Sequence, residues 1–254
     1  MVRAMLIAVL ITIGLQGNAQ TESRITRYNY FFLEAIRQQE MGNLAAAFDL
    51  LNHARDINPK APEVYYEIAG YYVAMQNSKA ARYNFEQAAK LAPDNSTYLE
   101  KLGQFYISQN NYEDALTTYE QLYTSNKTRE DVLQILYQLY GAQNNYKKMI
   151  EMIERMELLS GASEQLSLTK MQIYEQMGDK RKAQAELLRL VQKNPLELNY
   201  RVMLGNWLLQ NNKKKEAYNE YQTVLKEDPN NAAAQLSLLD YYRDRSEEHT
   251  SELQ

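Results

Sequence analysis

Cysteine is absent from the 254 residues. That excludes disulfide scaffolds, thiol nucleophiles, thiolate metal sites and a lipidated N-terminal cysteine. Histidine is nearly absent as well: only His53 and His249 occur, so His-rich metal sites and His-dependent triads have little material. Five prolines and nine glycines are few, and the glycines do not form a phosphate loop of the GxGxxG or Walker type. Neither sign of charge dominates. Twenty-eight basic against 32 acidic residues give a net charge of -4, and no basic block is long enough to hold nucleic acid. A mean hydropathy of -0.60 excludes a multi-pass membrane protein. Abundance lies elsewhere, in 21 tyrosines and in 42 asparagines plus glutamines.

The one long apolar run opens the chain. MVRAMLIAVLITIGLQGNA places Arg3 before the apolar stretch from Ala4 to Leu15, then small residues Gly17 and Ala19. This is the plan of a secretory signal peptide, residues 1–19, cleaved after Ala19. The stretch falls short of the about 20 residues that a helical span requires; an uncleaved N-terminal anchor is the alternative. Export is therefore expected, to the periplasm of a Gram-negative bacterium or to the outside of the cell, with residues 20–27 as a linker. At the other end, RSEEHTSELQ (245–254) resembles the codon-by-codon translation of a sequencing-library adapter. A non-native tail is expected there, with the native chain continuing past Asp244.

Between these ends runs one period. Pro59, Pro93, Pro195 and Pro229 are separated by multiples of 34. Ala47, Ala81, Ala115, Ala183 and Ala217 share a second phase, with Met149 in the missing place, and Tyr72, Tyr106, Tyr140 and Tyr174 share a third. Each unit carries two apolar stripes at helical spacing, broken by a polar turn. In one of them Leu99, Leu102 and Tyr106 precede SQNN, and Ala115, Tyr119 and Leu122 follow it. Alanine suits a point where two helices cross about 8–10 Å apart. Proline suits the end of a helix that it cannot continue. Tyrosine can fill a wedge between hairpins while its hydroxyl finds a polar neighbour.

The pattern resembles that of the tetratricopeptide repeat proteins. Ala81, Phe85, Ala88 and Pro93 carry the likeness most closely. Tyr137 and Met171 depart from it where Gly or Ala is usual, as do Lys127 and Gly161 where Pro is usual. The resemblance covers residues 28–244 and implies an all-α fold, a right-handed α-solenoid of helix-turn-helix repeats. Its units would be 28–61, 62–95, 96–129, 130–163, 164–197 and 198–231, with a partial seventh at 232–244.

Chemistry has little support in such a chain. His53 has no second His or Cys to share a metal or proton relay, and the carboxylates sit singly on helix faces or, like Glu113-Asp114 and Glu130-Asp131, at helix starts that favour acids. The runs Lys147-Lys148, Lys180-Arg181-Lys182 and Lys213-Lys214-Lys215 read as solvated surface, and Asn95 as a helix cap. No catalytic residue, metal or cofactor is expected. The resemblance instead implies a concave groove lined by the first helices at places 2, 5, 9 and 12 of each unit. Place 9 holds Gln104, Gln138, Gln172 and Asn206; place 2 holds Glu63, Asp131 and Gln165; place 5 holds Tyr66, Glu100 and Gln134. These ten residues are the expected peptide-binding set. No Lys or Arg falls on a groove place, so the basic clamp that some members of the family use on a peptide C-terminus is missing. Glu63, Glu100, Asp131 and Glu175 are expected to face the groove without a cation, favouring neutral or basic extended partners. The resulting reading is a non-catalytic scaffold that grips an extended partner segment, binds no nucleic acid and keeps no stable membrane span after signal cleavage. The alternatives are the recognition arm of a larger enzyme, and an envelope-assembly protein that uses its convex face.

Overall fold

The computed structural model describes residues 22–251, with side chains as far as Arg243. The expected signal segment, 1–19, lies outside the described residues. So do the side chains of the adapter-like string, 245–254. Among the described residues there are thirteen helices and no strand. They are α1 (22–40), α2 (Leu44–Ile57), α3 (Pro62–Ala74), α4 (Ser78–Leu91), α5 (Ser96–Ser108), α6 (Tyr112–Ser125) and α7 (Glu130–Ala142). There follow α8 (Tyr146–Ser160), α9 (Glu164–Gln176), α10 (Lys180–Lys193), α11 (Leu198–Gln210), α12 (Lys214–Glu227) and α13 (Ala232–Ser251).

Periodicity and helix boundaries agree. First helices open at Pro62, Ser96, Glu130, Glu164, Leu198 and Ala232, the starts that the 34-residue phase predicts. Pro59, Pro93, Pro195 and Pro229 each stand two residues past the end of α2, α4, α10 or α12, where a missing N–H costs nothing. The turn inside each repeat has its own period. Gly42, Gln76, Asn110, Asn144, Gly178 and Asn212, all at place 15, adopt φ between 54° and 80°. Asparagine tolerates this left-handed region better than most side chains. At the next place Asn77, Asn111, Asn145 and Asp179 each accept an N–H of the following helix, satisfying one of its orphan donors. Much of the amide richness therefore serves turns.

One expected boundary is corrected. Residues 22–27 are the first turns of α1 and not a linker. Nothing in this stretch breaks a helix, and Arg24 Nε donates to the Ile57 carbonyl at the end of α2 (2.6 Å).

The chain divides within α7 into two compact units, residues 1–132 and 133–254. In the first, Ala47, Ala81 and Ala115 have no exposed surface. Leu51, Ala54, Val64 and Ile68 pack between α2 and α3 with Phe48 and Tyr72 against them. A methyl group built on Gly103 would lie 2.6 Å from Tyr119 Cε2, so glycine is required for α6 to approach α5. In the second unit Ala183 and Ala217 are fully buried, and Gly205 meets Tyr221 in the same way, at 2.4 Å. The tyrosine lattice has polar company: Tyr106 donates to Glu86 (2.8 Å), with the Arg82 guanidinium 5.2 Å from its ring centre. The lysine runs lie at the surface, five of their eight residues exposed and none buried, and three of them lean on rings. Lys148, Lys182 and Lys213 lie 6.0, 5.2 and 5.7 Å from the ring centres of Tyr140, Tyr174 and Trp207, within cation–π range.

The second unit also buries charge. Lys170 and Ser167 occupy core places of α9 and are 3% and 2% exposed. Lys170 Nζ sits 2.9 Å from Glu157 of α8 and 2.8 Å from Glu186 of α10. Arg189 of α10 donates to Glu157 (2.5 Å) and to Ser167 Oγ (3.0 Å). Two cations and two carboxylates thus tie three helices together. Burial pushes the Glu157 carboxyl up, but the hydrogen bonds from Lys170 and Arg189 together outweigh it and hold it below the usual range. Removing one member of a buried ionic set typically costs about 3–5 kcal/mol, because a charge is left uncompensated. Lys170→Met is expected to destabilise the second unit by that order, seen as a lowered urea midpoint in Trp207 fluorescence, while the Tyr65 and Phe85 region of the first unit stays protected in hydrogen exchange. The sign with pH follows from the lowered Glu157 value. Its stabilisation is complete above the unfolded glutamate range, about 4.3, and is lost as pH falls through the folded value. The variant should begin that loss at higher pH; an unchanged midpoint and pH profile would contradict the network's role.

Candidate functional site

On every first helix one stripe is buried, and places 2, 5, 9 and 12 lie mostly outside it, with Val202 of α11 (place 5) the departure, 5% exposed and packed with Val224 and Ala234. In the first unit this wall carries Glu63, Tyr66, Glu100, Gln104 and Asp131. Glu63 is not free: Tyr28 donates its hydroxyl to Oε1 at 2.6 Å, and burial followed by this bond drives the Tyr28 hydroxyl far above its ordinary value. Tyr66 is half-buried, its ring 5.1 Å from that of Tyr98 and 6.3 Å from that of Phe85, so one edge packs and the other lines the wall. Gln104 is exposed, with Lys101 Nζ 3.4 Å from its oxygen.

Arg129 overturns the expectation of an acid without a cation at Glu100 and Asp131. It is the last residue of its repeat, just ahead of α7. From there its guanidinium reaches back to Glu100 of α5 (2.9 Å) and forward to both carboxylate oxygens of Asp131. The first-helix stripe omits place 34, but an arginine side chain is long enough to enter it from the loop. The hydrogen bonds from Arg129 hold the Asp131 carboxyl below the usual range. Beneath the cluster Tyr119 is 1% exposed, and its hydroxyl has no hydrogen-bond partner among the described residues. Burial, with Glu100 adding to it, pushes that hydroxyl up to about 12.

The second unit places Gln134 and Gln138 on α7 and Gln165 and Gln172 on α9, all exposed. The two residues expected alongside them are engaged inside the chain. Asn206 accepts the Tyr221 hydroxyl at 2.8 Å, a bond that the short asparagine can make and that Gln104, above Tyr119, does not. Glu175 accepts Trp207 Nε1 at 2.5 Å. All four acids that were expected to draw a basic partner therefore already have an internal donor. A polar recess of about 470 Å³ lies beside Asn206, bounded by Leu209, Gln210, Ser237 and Asp240.

A different acid stands open. In the first unit a cavity of about 310 Å³ is lined by Gln39, Leu44, Glu67, Gly70, Tyr71 and Ala74. Glu67 is at place 6, off the expected stripe. Burial pushes its carboxyl above the usual range, and among the described residues no cation pairs with it. Its only sequence signal was an acid beside a place-9 glycine.

No group of three or more His, Asp or Glu that could hold a metal comes together among the described residues, and no described helix is long and apolar enough to cross a membrane. The wall offers hydrogen bonds, rings and charge, which is the chemistry of binding. Its electrostatic part is testable at Arg129. In Arg129→Gln the Asp131 carboxyl should titrate at higher pH than in the parent, followed by carbon-detected NMR of side-chain carboxyls. An unmoved Asp131 titration would show that Arg129 does not hold it in solution.

Comparison with known proteins follows the same geometry. No protein of curated function matches the chain in sequence. A solved tetratricopeptide repeat protein from Parabacteroides merdae ATCC 43184 is 16% identical, with 90% of each chain aligned and a TM-score of 0.50. A chain from the structure of Naa15/Naa10 bound to HypK-THB is 18% identical with a TM-score of 0.59; the alignment takes in 91% of this chain and 36% of that one. At these identities the likeness is one of fold. The sequence model of the tetratricopeptide repeat matches residues 66–129 and 168–232, just over half of the chain. Together with the 34-residue phase, the paired helices and the small residues at their crossings, this match shows that the chain belongs to the tetratricopeptide repeat family.

Proposed function

We propose that this protein-interaction scaffold holds an extended partner segment against its first-helix walls, by backbone hydrogen bonds more than by side-chain selection. The observation that carries the reading is the set of exposed amides in the second unit. Gln134, Gln138, Gln165 and Gln172 stand on the groove places of two successive first helices. Among the described residues none of these four side chains makes a hydrogen bond within the chain. Each amide brings both donor and acceptor capacity, which suits a peptide backbone of any sequence. Asn206 no longer belongs to that set, since Tyr221 holds its oxygen. The wall carries no catalytic constellation in this reading. Function outside the cytoplasm is part of the proposal and rests on residues 1–19 alone.

A peptide array probed with the parent and with Gln138→Ala plus Gln172→Ala tests it. Each lost bond is worth about 0.5–1.5 kcal/mol net, so affinity should fall roughly fivefold to a hundredfold, and by similar factors across ligands. Binding that is unchanged in strength and selectivity would move the contact surface to the second helices.

A further inference from the structure

Four glycines lie in the first helices and three of them invite comparison; at the fourth, Gly141, a methyl group would meet only ordinary contact with Met149 at 3.5 Å. A glycine inside a helix is a standing cost to the fold, because it has more backbone freedom to lose than alanine. At Gly103 and Gly205 the close approach of a buried tyrosine offsets that cost, since an added methyl group would collide with the ring. Gly70 has no such return. It is exposed on α3, and a methyl group there would meet nothing within 4 Å. The equivalent place in the next four repeats holds Gln104, Gln138, Gln172 and Asn206. At Gly70 the wall is therefore open where those repeats project an amide, and the opening is the mouth of the cavity described above.

Its size and lining limit the occupant. About 310 Å³ is at the small end of ligand pockets, room for one long side chain and not for a nucleotide or haem. Leu44, Ala74 and the Tyr71 ring form apolar sides; Gln39 and Glu67 are the polar groups. Gln39 is loosely occupied, with the Tyr71 hydroxyl 3.3 Å from its oxygen. Glu67 has no cation within ion-pair distance among the described residues, unlike Glu34, Glu86, Glu100 and Asp131 of the same unit, which are paired with arginines. A single carboxylate is too poor a donor set for a metal ion, and an acidic ligand would meet like charge. An aliphatic stem ending in a cation satisfies both the walls and the carboxylate.

We propose that the Gly70 notch is a selectivity pocket for one lysine or arginine side chain of the bound segment, its stem against Leu44, Ala74 and Tyr71 and its cation on Glu67. The assignment rests on the wall being the peptide-binding surface, and it adds a located source of preference for basic partners now that Glu100 and Asp131 are paired with Arg129.

The probe is an array of 12-residue peptides in which each position is scanned through lysine, arginine, norleucine and glutamate. It is applied to the whole chain and to Glu67→Gln, Gly70→Ala and Gly70→Gln. The parent should select lysine or arginine over norleucine at one position. Glu67→Gln should lose that selection, weakening lysine peptides roughly tenfold or more while norleucine peptides bind as before. Gly70→Gln should close the notch and lose selection of either kind. Gly70→Ala should bind lysine peptides more weakly yet melt at a higher temperature than the parent, which damage to the fold could not produce. Basic selection that persists in Glu67→Gln, or a parent that binds peptides without any basic preference, would overturn the pocket and leave the peptide-binding wall standing. A parent that binds no peptide would remove both.

Discussion

The distance of closest approach between the two helices of a repeat is the constraint on which this structure depends. It is set where place 8 of the first helix meets place 24 of the second. Glycine faces tyrosine at Gly103 and Tyr119 and again at Gly205 and Tyr221, with the rings where a methyl group would be. Repeat 1 has Ala35 and Leu51, and repeat 2 has Ala69 and Phe85, all buried. Repeats 4 and 5 depart from this rule, with large residues at both places, Tyr137 with Ile153 and Met171 with Leu187, and there Tyr137 and Met171 stay half-buried. A close-packed interior tolerates exchange of volume between facing positions far better than a net change. The fifth repeat departs furthest, because Ser167 and Lys170 replace apolar core residues and an ionic network takes over the joining of α8, α9 and α10. Such a network adds little net stability over a hydrophobic core. It does make that junction sensitive to single substitutions and to acid.

Once the crossing is fixed, one face of every first helix is committed and the other is left over. The leftover face is not uniform. Glu63, Glu100, Asp131, Glu175 and Asn206 are held by Tyr28, Arg129, Trp207 and Tyr221. These bonds orient the side chains and use part of their hydrogen-bonding capacity. The exposed glutamines of α7 and α9 and the carboxylate of Glu67 carry no such commitment. Sorting the wall by internal partners separates the residues that folding uses from those it leaves uncommitted, and the proposed binding draws on the second group.

The fold was legible because it repeats. Five starts out of a single proline phase placed helices at Ser96, Glu130, Glu164, Leu198 and Ala232, and the alanine phase marked residues without exposed surface. Local chemistry was enough for both: proline ends a helix, and only a small side chain fits a crossing. What stayed hidden depends on reach and neighbourhood. Arg129 lies outside the groove stripe and enters it only through the length of its side chain. Asn206 and Gln104 share a place and a chemical class, yet a difference of one methylene decides that the first bonds a buried tyrosine and the second faces water. Lys170 joins two glutamates that come from other helices, which no local pattern announces. The left-handed turn residues were half visible: Gly42 and Gly178 shared a phase, and Asn110, Asn144 and Asn212 filled it with a different residue type.

The claim that complementary volume at the helix crossing holds the repeats together has a direct measurement, a double-mutant cycle at positions 103 and 119 read by urea denaturation. In the parent, Gly103→Ala should destabilise by about 1–3 kcal/mol, because the buried Tyr119 ring cannot retreat. In a chain that already carries Tyr119→Leu, the same Gly103→Ala should stabilise by up to about 1 kcal/mol, because only the helix preference of alanine over glycine remains. Opposite signs in the two backgrounds are the predicted result. The same sign and size in both would mean that the two positions do not sense each other, and the account of the fold would fail there.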